Sequence, residues 1–240
     1  MEEKIIGILG GMGPEATLDF FGKIIQNTPA TRDQEHLRLI IYNNPKIPDR
    51  TEAILKRGES PVPMMVKSGR FLAKAGADFI VIPCISAHFF LEELRRKLSL
   101  PIISAFDEIS ALITREYPDI KVVGLLATKG TISGGLFQKI LLESGITTLV
   151  PEPDDQERVS SAIYKIKGST ASQVREESKK ILIDVANHLI KRGSQGIIAG
   201  CTEIPLALKP DDVTVPLFDS LLILARAAVR EAKRGTSVST

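Results

Sequence analysis

Two cysteines are the residues whose type and placement in this sequence most directly suggest chemistry. Cys84 follows the apolar run Phe79–Ile82, which is typical of a buried parallel strand, and Cys201 follows a similar run at residues 196–200. Ligands of open α/β sheets bind at the carboxyl ends of parallel strands. A helix with Ser86 as its predicted N-cap would also favour a thiolate at Cys84. The sequence therefore predicts both of its cysteines at ligand-binding strand ends.

Two facing thiols can move protons on opposite faces of one carbon atom. The unperturbed pKa of cysteine is about 8.5 and proteins shift it by several units, so a thiolate and a thiol can coexist near neutral pH. The thiolate would remove a proton from a carbon acid and the thiol would donate one to the opposite face. The carbon would be inverted without a cofactor. Backbone N–H groups after each cysteine could bind the charge that develops on a substrate carboxylate.

Two other interpretations of the cysteines remain open at this point. Free cysteine is often a small buried core residue, although that interpretation suits a lone cysteine better than a matched pair. The second interpretation is an internal disulfide formed by a redox pair. No Cys-x-x-Cys motif supports it, so the fold alone would have to bring the sulfur atoms together.

The chain repeats itself at a spacing of about half its length. Gly7 precedes Cys84 by 77 positions, and Gly124 precedes Cys201 by the same 77 positions. Self-similarity at a fixed period is the signature of repeated architecture. We therefore expect an α/β fold of two similar lobes, each built on a parallel sheet. A pseudo-twofold axis would relate the lobes, and the active site would lie in the cleft between them.

Breaks in the hydrophobic pattern set the limits of these lobes. The Tyr117-Pro118 step is the predicted boundary, so residues 1–117 form the first lobe and residues 118–233 form the second. Residues 234–240 are predicted to be a disordered tail, and the last helix could pack on the first lobe. Further predicted elements are a strand at 101–104 and helices at 61–75, 107–117, 132–144 and 172–191.

Composition excludes several classes of protein. The 31 basic and 29 acidic residues give a net charge of +2, which argues against a nucleic-acid-binding surface. No apolar run is long enough to span a bilayer, and the N-terminus leads into a strand without a signal-peptide pattern. We therefore expect a cytoplasmic protein with reduced cysteines and no membrane partner. The three histidines are scattered and no cluster has zinc-ligand spacing, so no metal site is predicted.

Two segments of the first lobe could bind an anion. The glycine run Gly10–Gly13 lies at a strand-to-helix turn, where free N–H groups could hold a small carboxylate or phosphate. It lacks the spacing of the dinucleotide fingerprint, which argues against NAD. Farther along, Asp49 is a predicted helix cap and Arg50 follows it. Arg50 could be a solvated first-turn residue or a fork that holds a substrate carboxylate at two points.

At these residues the chain resembles the aspartate/glutamate racemase family, and specifically its aspartate racemase branch. The resemblance covers nearly the whole chain. Its markers are Gly10-Gly11-Met12-Gly13-Pro14-Glu15-Ala16-Thr17, Asn43-Asn44-Pro45 with Ile47-Pro48-Asp49-Arg50-Thr51, Pro83-Cys84 with Ala87-His88, Gly124-Leu125-Leu126-Ala127-Thr128, and Gly200-Cys201-Thr202-Glu203.

The resemblance implies cofactor-independent racemisation of a small amino acid, most directly aspartate, by a homodimer of two-lobed chains. It implies that Cys84 and Cys201 are the two acid/base residues and that Arg50 contacts the substrate carboxylate. It suggests Lys167 as a second cationic contact, for which Lys165 competes because the local spacing is one residue short. The remaining implied substrate contacts are Met12, Ile85, Ser86, Ala87, Thr128 and Thr202.

The residue after the first cysteine departs from the family pattern. The family usually has Asn-Thr-Ala-His there, and this chain has Ile85-Ser86-Ala87-His88. Isoleucine removes an amide that could bond the substrate, so substrate identity and activity stay open. Glu203 could tune or orient Cys201, and His88 could do the same for Cys84. Either could equally be a helix-start residue without a catalytic part.

Three functions follow from these observations. The leading hypothesis is an amino-acid racemase that acts on aspartate and uses the cysteine pair. The second is a related carbon-acid enzyme, an isomerase or decarboxylase of a small dicarboxylate. The third is a catalytically silent protein that binds small carboxylates. Ile85 motivates the second and third hypotheses.

Overall fold

The computed structural model describes residues 3–234. These residues form two parallel β-sheets that are covered by helices. The first sheet has the order β2-β1-β3 and contains β1 (Ile6–Gly10), β2 (Leu39–Asn43) and β3 (Phe79–Val81). The second has the order β5-β4-β6-β7 and contains β4 (Val122–Leu126), β5 (Thr147–Leu149), β6 (Ile197–Ala199) and β7 (Leu217–Asp219). All of these strand pairs are parallel. The predicted α/β class with two parallel-sheet units is confirmed.

The two sheets share their strand order and their register. Gly7 of β1 pairs with Ile80 of β3, and Gly124 of β4 pairs with Ile197 of β6, so 73 positions separate the partners in both lobes. A bridge between Ile80 and Ile102 extends the first sheet at the position that β7 occupies in the second. The repeat in the sequence is therefore a repeat of sheet topology. The pseudo-twofold relation between the lobes stays a prediction.

Alternating apolar side chains divide the strands between three hydrophobic clusters. Ile8 of β1 and Leu125 of β4 point into one cluster that the two lobes share. Leu9 lies in a second cluster on the other face of the first sheet, and Leu126 lies in a third on the other face of the second sheet. Side chains alternate between faces along a strand, so strands buried on both faces read as continuous apolar runs. The shared cluster makes the lobes one packed unit.

The helices have these bounds: α1 (Pro14–Asn27), α2 (Arg50–Ile54), α3 (Val62–Lys74), α4 (Leu91–Lys97), α5 (Ala105–Glu116), α6 (Lys129–Gly134), α7 (Leu136–Glu143), α8 (Pro153–Gly168), α9 (Ser172–Lys191), α10 (Ile204–Ala207) and α11 (Ser220–Lys233). The longest, α9, has the predicted length, and α3 lies within one residue of its prediction at both ends. The chain also forms 3-10 helices at Asp33–Glu35, Ile85–Phe90 and Pro210–Asp212.

Three local predictions are wrong. The helix predicted at 132–144 is two helices, because Gly135 adopts a φ of +67° and ends α6 in the left-handed region. The strand predicted at 101–104 is reduced to the single bridge at Ile102, since Ser104 already caps α5. The helix after Cys84 begins at Ile85, so Ser86 is not its N-cap.

The last helix crosses from the second half of the chain to the first. Helix α11 packs against α1 and α5, where Arg226 Nε donates to Asn27 Oδ1 at 3.1 Å and Arg230 pairs with Glu108. Arg234 is the C-cap of α11. The rest of the predicted tail, residues 235–240, lies outside the described residues. Between residues 3 and 234, no helix combines the length and apolar character that crossing a membrane requires.

Candidate active site

The two cysteines lie just beyond the carboxyl ends of corresponding strands. Cys84 follows β3 and Cys201 follows β6, and each is only 4% exposed. Both are free thiols. Each cysteine belongs to the apolar cluster of its own lobe, below the 3-10 turn or short helix that starts after it. Each thiol therefore lies after the corresponding strand of its own lobe.

Arg50 is a buried cation of the first lobe. Asp49 Oδ1 accepts from Glu52 N at 3.0 Å and caps α2, which confirms the predicted cap and turns Arg50 inward. The guanidinium donates through Nη1 to Ile47 O at 3.1 Å and Pro48 O at 3.0 Å. Because Arg50 is only 8% exposed, the interpretation as a solvated first-turn residue is wrong.

The Arg50 guanidinium retains a donor that the described residues leave unused. Nε is buried and has no hydrogen-bond partner among them, while Nη2 reaches Met12 O only at 3.5 Å. Burial lowers the pKa of Arg50, but its interactions with Cys84 and Asp49 outweigh burial and hold that pKa above its usual value. A buried donor without a partner is costly. Arg50 can therefore offer a charged hydrogen bond to an anionic ligand.

Glu203 links the second cysteine to a second cation. The Cys201 thiol donates to Glu203 Oε2 at 2.9 Å, and Lys167 Nζ lies 3.8 Å from Glu203 Oε1. Thr202 is buried and donates its hydroxyl to Glu203 Oε2 at 3.2 Å. A Cβ built on Gly13 would lie 3.4 Å from Glu203 Oε1, so the glycine turn of the first lobe faces this carboxylate. The surroundings of Cys201 therefore include residues of its own lobe and the glycine turn of the first lobe.

The charges around Cys201 fix its protonation state. Burial raises the pKa of the Cys201 thiol well above its usual value, and the Glu203 carboxylate raises it further against the opposing effect of Lys167. Burial lowers the pKa of Lys167, but Glu203 and the two cysteines raise it above its usual value. At neutral pH, Cys201 is therefore a thiol and Lys167 a cation. Lys165, its competitor in the sequence, is exposed.

Four buried hydroxyls from both lobes form a cluster beside the cysteines. Ser86 Oγ lies 3.2 Å from Thr128 Oγ1 and 2.9 Å from Thr131 Oγ1. Thr51 donates to Thr128 Oγ1 at 3.1 Å. Ser86 and Thr128 were predicted as substrate contacts, and Thr51 and Thr131 were missed. Thr131 follows its cap Thr128 by three positions, which is a local signal that could have been used.

Three predicted substrate contacts are apolar and buried. Met12 and Ala87 share a cluster with Cys84, and the Met12 carbonyl faces Arg50. The Ile85 side chain lies instead in the cluster that the lobes share, on the other side of the first sheet. Its backbone N–H at the start of the 3-10 turn is therefore the group that could face a substrate.

His88 is a structural residue of the first lobe. Its Nε2 donates to Ile82 O at 3.1 Å, and its Nδ1 accepts from Ala105 N at 3.2 Å. Burial lowers the pKa of His88 to about 4, so the ring is neutral at physiological pH. Both nitrogens are used by backbone groups, so the suggestion that His88 tunes Cys84 has no support here. The ring instead ties the end of β3 to the start of α5.

We expect His88 to make the protein less stable in mild acid. The unfolded chain takes up a proton near pH 6.5 and the folded chain only near pH 4, so stability is kept above pH 6.5 and lost as the pH falls toward 4. The full loss is about 3 kcal/mol, of which about 2 kcal/mol should develop between pH 7 and pH 5. Urea unfolding at these two pH values measures that part. The His88→Gln variant should lose this part of the pH dependence, and the His36→Gln control should retain it. An equal dependence of the unfolding free energy on pH in both variants and in the unmodified protein would refute the assignment.

The glycine run packs closely against the loop after β2, and its binding of an anion stays a prediction. Gly11 adopts a φ of +99°, and a Cβ there would lie 2.3 Å from the Asn44 backbone, so these glycines let β1 end against the loop after β2. Gly11 N donates to Thr17 Oγ1 at 2.9 Å. Across residues 3–234, no group of three or more His, Cys, Asp or Glu side chains could hold a metal ion.

Comparison with known proteins identifies this chain as an isomerase of the racemase type. The model of the Asp/Glu/Hydantoin racemase family matches residues 9–228, and the chain belongs to that family. The broad specificity amino-acid racemase RacX of Bacillus subtilis is 29% identical over 229 residues, which cover 94% of this chain and 96% of RacX.

Solved structures of related racemases share the fold. The aspartate racemase of Picrophilus torridus superposes with a TM-score of 0.85 at 31% identity and covers 95% of this chain and 94% of its own. A putative Asp/Glu racemase of Yersinia pestis gives a TM-score of 0.77 at 28% identity, with 95% and 99% covered. The resemblance to the racemase family is thereby confirmed.

Proposed function

We propose that this racemase inverts the α-carbon of a small amino acid, most directly aspartate, by a cofactor-independent two-base mechanism. The observation that carries the proposal is the opposite electrostatic setting of two equivalent thiols. Cys201 donates a hydrogen bond to the carboxylate of Glu203, whereas Cys84 neighbours the Arg50 guanidinium, whose pKa it raises. A carboxylate favours a thiol and a cation favours a thiolate.

In the proposed step Cys84 acts as the base, and Cys201, whose pKa is raised, acts as the acid. The Cys84 thiolate removes the α-proton from one face, and the electron pair of the C–H bond passes into the substrate carboxylate. The Cys201 thiol then donates its proton to the opposite face. One proton is gained and one is lost, so the enzyme ends with Cys84 as the thiol and Cys201 as the thiolate. Turnover in the reverse direction, or exchange with solvent, restores the starting state.

The cations stabilise the carbanion. A preorganised charged donor acts most strongly where charge develops in a site that excludes water. Arg50 offers its unpartnered Nε, and the side chain of Lys167 is only 19% exposed. A buried cation, Arg50, and a partly buried one, Lys167, also suit a substrate with two carboxylates. This charge balance, together with the aspartate racemase of Picrophilus torridus at 31% identity, supports aspartate as the substrate.

The test is a racemisation assay with a panel of amino acids. Purified protein is incubated with each enantiomer of aspartate, glutamate and several neutral amino acids, and the products are separated by chiral chromatography. We expect D-aspartate from L-aspartate at the highest kcat/KM. Faster turnover of neutral amino acids would reject aspartate and agree with the broad specificity in the name of RacX. Isomerisation of maleate without turnover of any amino acid would favour the dicarboxylate isomerase.

Glu203→Gln tests the assignment of Cys201 as the resting acid. Glutamine can still accept the thiol hydrogen bond, but it removes the negative charge that raises the pKa of Cys201. The thiol then ionises at lower pH, so the alkaline limb of the kcat profile should move to lower pH. Above the thiol pKa, the protonated fraction and the rate should fall about tenfold for each further pH unit. Glu157→Gln, which removes an exposed carboxylate of α8, is the control. An unchanged alkaline limb in Glu203→Gln would contradict the assignment.

A homodimer and a cytoplasmic location remain predictions. The family resemblance implies the dimer, and the exposed Ile41 on edge strand β2 and Phe71 on the neighbouring helix α3 are apolar groups that such an interface could cover. A monomeric mass in solution scattering would contradict the dimer.

A further inference from the structure

The candidate site is closed in this structure. Both cysteines are 4% exposed, and Arg50 and Glu203 are buried with them. Because residues of both lobes surround the site, a movement of one lobe away from the other would expose these groups to a substrate. The contacts that cross the mouth of the site therefore set how readily it opens.

Two polar contacts join the lobes in addition to those of the hydroxyl cluster. Tyr164 of α8 places its hydroxyl 3.3 Å from both carboxylate oxygens of Asp49, at the start of α2. Arg175 of α9 pairs with Glu15 in the first turn of α1. Tyr164 is 41% exposed, so its hydroxyl contributes little to the core.

Tyr164 also touches the cation of its own lobe. Lys167 Nζ lies 5.6 Å from the centre of the Tyr164 ring, which is a cation–π distance. Tyr164 and Lys167 are three residues apart on α8 and so share a helix face. Asp49, the partner of the hydroxyl, directly precedes Arg50 and caps its helix. One side chain thus joins Lys167 of the second lobe to the residue beside Arg50 of the first.

We infer that Tyr164 is a positioning residue, which docks on Asp49 when the lobes close and so sets Lys167 opposite Arg50 around the substrate. This role rests on the proposed racemase function. Its hydroxyl holds the lobes together, and its ring supports the Lys167 ammonium. When the lobes open, the hydroxyl leaves Asp49 and the two cations move apart. Tyr164 acts through Lys167 and does not touch the reacting carbon.

Thiol labelling provides a measurement of closure that does not depend on turnover. The chain contains only Cys84 and Cys201, and both are buried in the closed state, so the labelling rate by iodoacetamide reports opening. Tyr164→Phe removes the hydroxyl and keeps the ring and the charges. Loss of one such hydrogen bond should raise the labelling rate about 2- to 10-fold. Mass spectrometry assigns the label to each cysteine.

Kinetics separate positioning from a structural role. Tyr164→Phe should raise KM by a similar factor and nearly keep kcat, because bound substrate itself bridges the cations. Tyr164→Leu should lower kcat as well, since Lys167 loses its ring support. Tyr42→Phe is the control, because the Tyr42 ring packs on Phe71 within the first lobe. Glu15→Gln, which cuts the second contact, should also speed labelling.

Three outcomes decide the inference. Faster labelling and a raised KM in Tyr164→Phe, at an unchanged urea midpoint, would support it. Labelling and KM equal to those of Tyr42→Phe would overturn it. A lower urea midpoint that accounts for the faster labelling would also overturn it, since the role would then be structural. If the unmodified enzyme racemises nothing, the proposed function fails while the labelling result still decides whether Tyr164 closes the site.

Discussion

Cys84→Ala and Cys201→Ala should each abolish inversion, with a loss of about 10³-fold or more in racemisation rate. Each variant removes one of the two groups that handle the α-proton, and the other thiol lies on the wrong face to replace it. The alanine side chain is small, and each cysteine sits in a small apolar setting at the end of a strand, so the fold should survive. Chiral chromatography with each enantiomer of aspartate measures the loss.

The two variants should differ in residual proton exchange. In Cys201→Ala, Cys84 remains as the proposed base, so it should still remove a proton from one enantiomer and return it to the same face. In Cys84→Ala, the remaining thiol is Cys201, whose pKa is raised by burial and by Glu203, so exchange should be lost with both enantiomers near neutral pH. Cysteine-to-serine variants at both positions control for the lost volume. Inversion by either alanine variant, or the reverse asymmetry, would refute the roles given to the two thiols.

Arg50→Lys should lower kcat/KM by about 10²-fold, although it keeps the positive charge. All three N–H donors of lysine lie on one nitrogen atom, so they cannot reach the Ile47 and Pro48 carbonyls and also the separate position that the guanidinium fork presents to the substrate. The buried carbonyls would compete with the substrate for the one ammonium group. Steady-state kinetics with aspartate measure the effect.

Arg57→Lys is the matched control for this substitution. Arg57 lies just beyond α2, pairs with Glu52 and is exposed, so the kcat/KM of this variant should equal that of the unmodified enzyme. Equal kinetics for Arg50→Lys and Arg57→Lys would show that Arg50 does not hold the substrate.

Much of the fold could be predicted because its signals are local or periodic. The strands are buried on both faces and read as apolar runs, and the 77-position repeat reflects two sheets with the same order and register. The two cysteines were found because they end corresponding strands. Asp49 was found as a helix cap because a cap depends on residues only a few positions away.

Other features depend on contacts that the sequence cannot reveal. Thr51 meets Thr128 across 77 positions, and Tyr164 meets Asp49 across 115, so neither contact leaves a local pattern. His88 looked like a candidate for tuning Cys84, but its ring turns to the Ala105 backbone, 17 positions away. Ile85 follows Cys84 directly, yet its side chain enters the opposite cluster. Two residues that are adjacent in the sequence can therefore place their side chains in different parts of the core when the backbone turns between them.

Deuterium incorporation into aspartate by the unmodified enzyme tests the two-base mechanism most directly. L-Aspartate is incubated in heavy water, and the α-deuterium content of both enantiomers is measured by NMR and chiral separation at low conversion. The mechanism predicts that newly formed D-aspartate carries deuterium while recovered L-aspartate does not, because the removed proton stays on one thiol and the donated deuteron comes from the other. Equal deuterium in recovered L-aspartate and in product would show that one base serves both faces. Such a result would contradict the roles proposed for the cysteine pair.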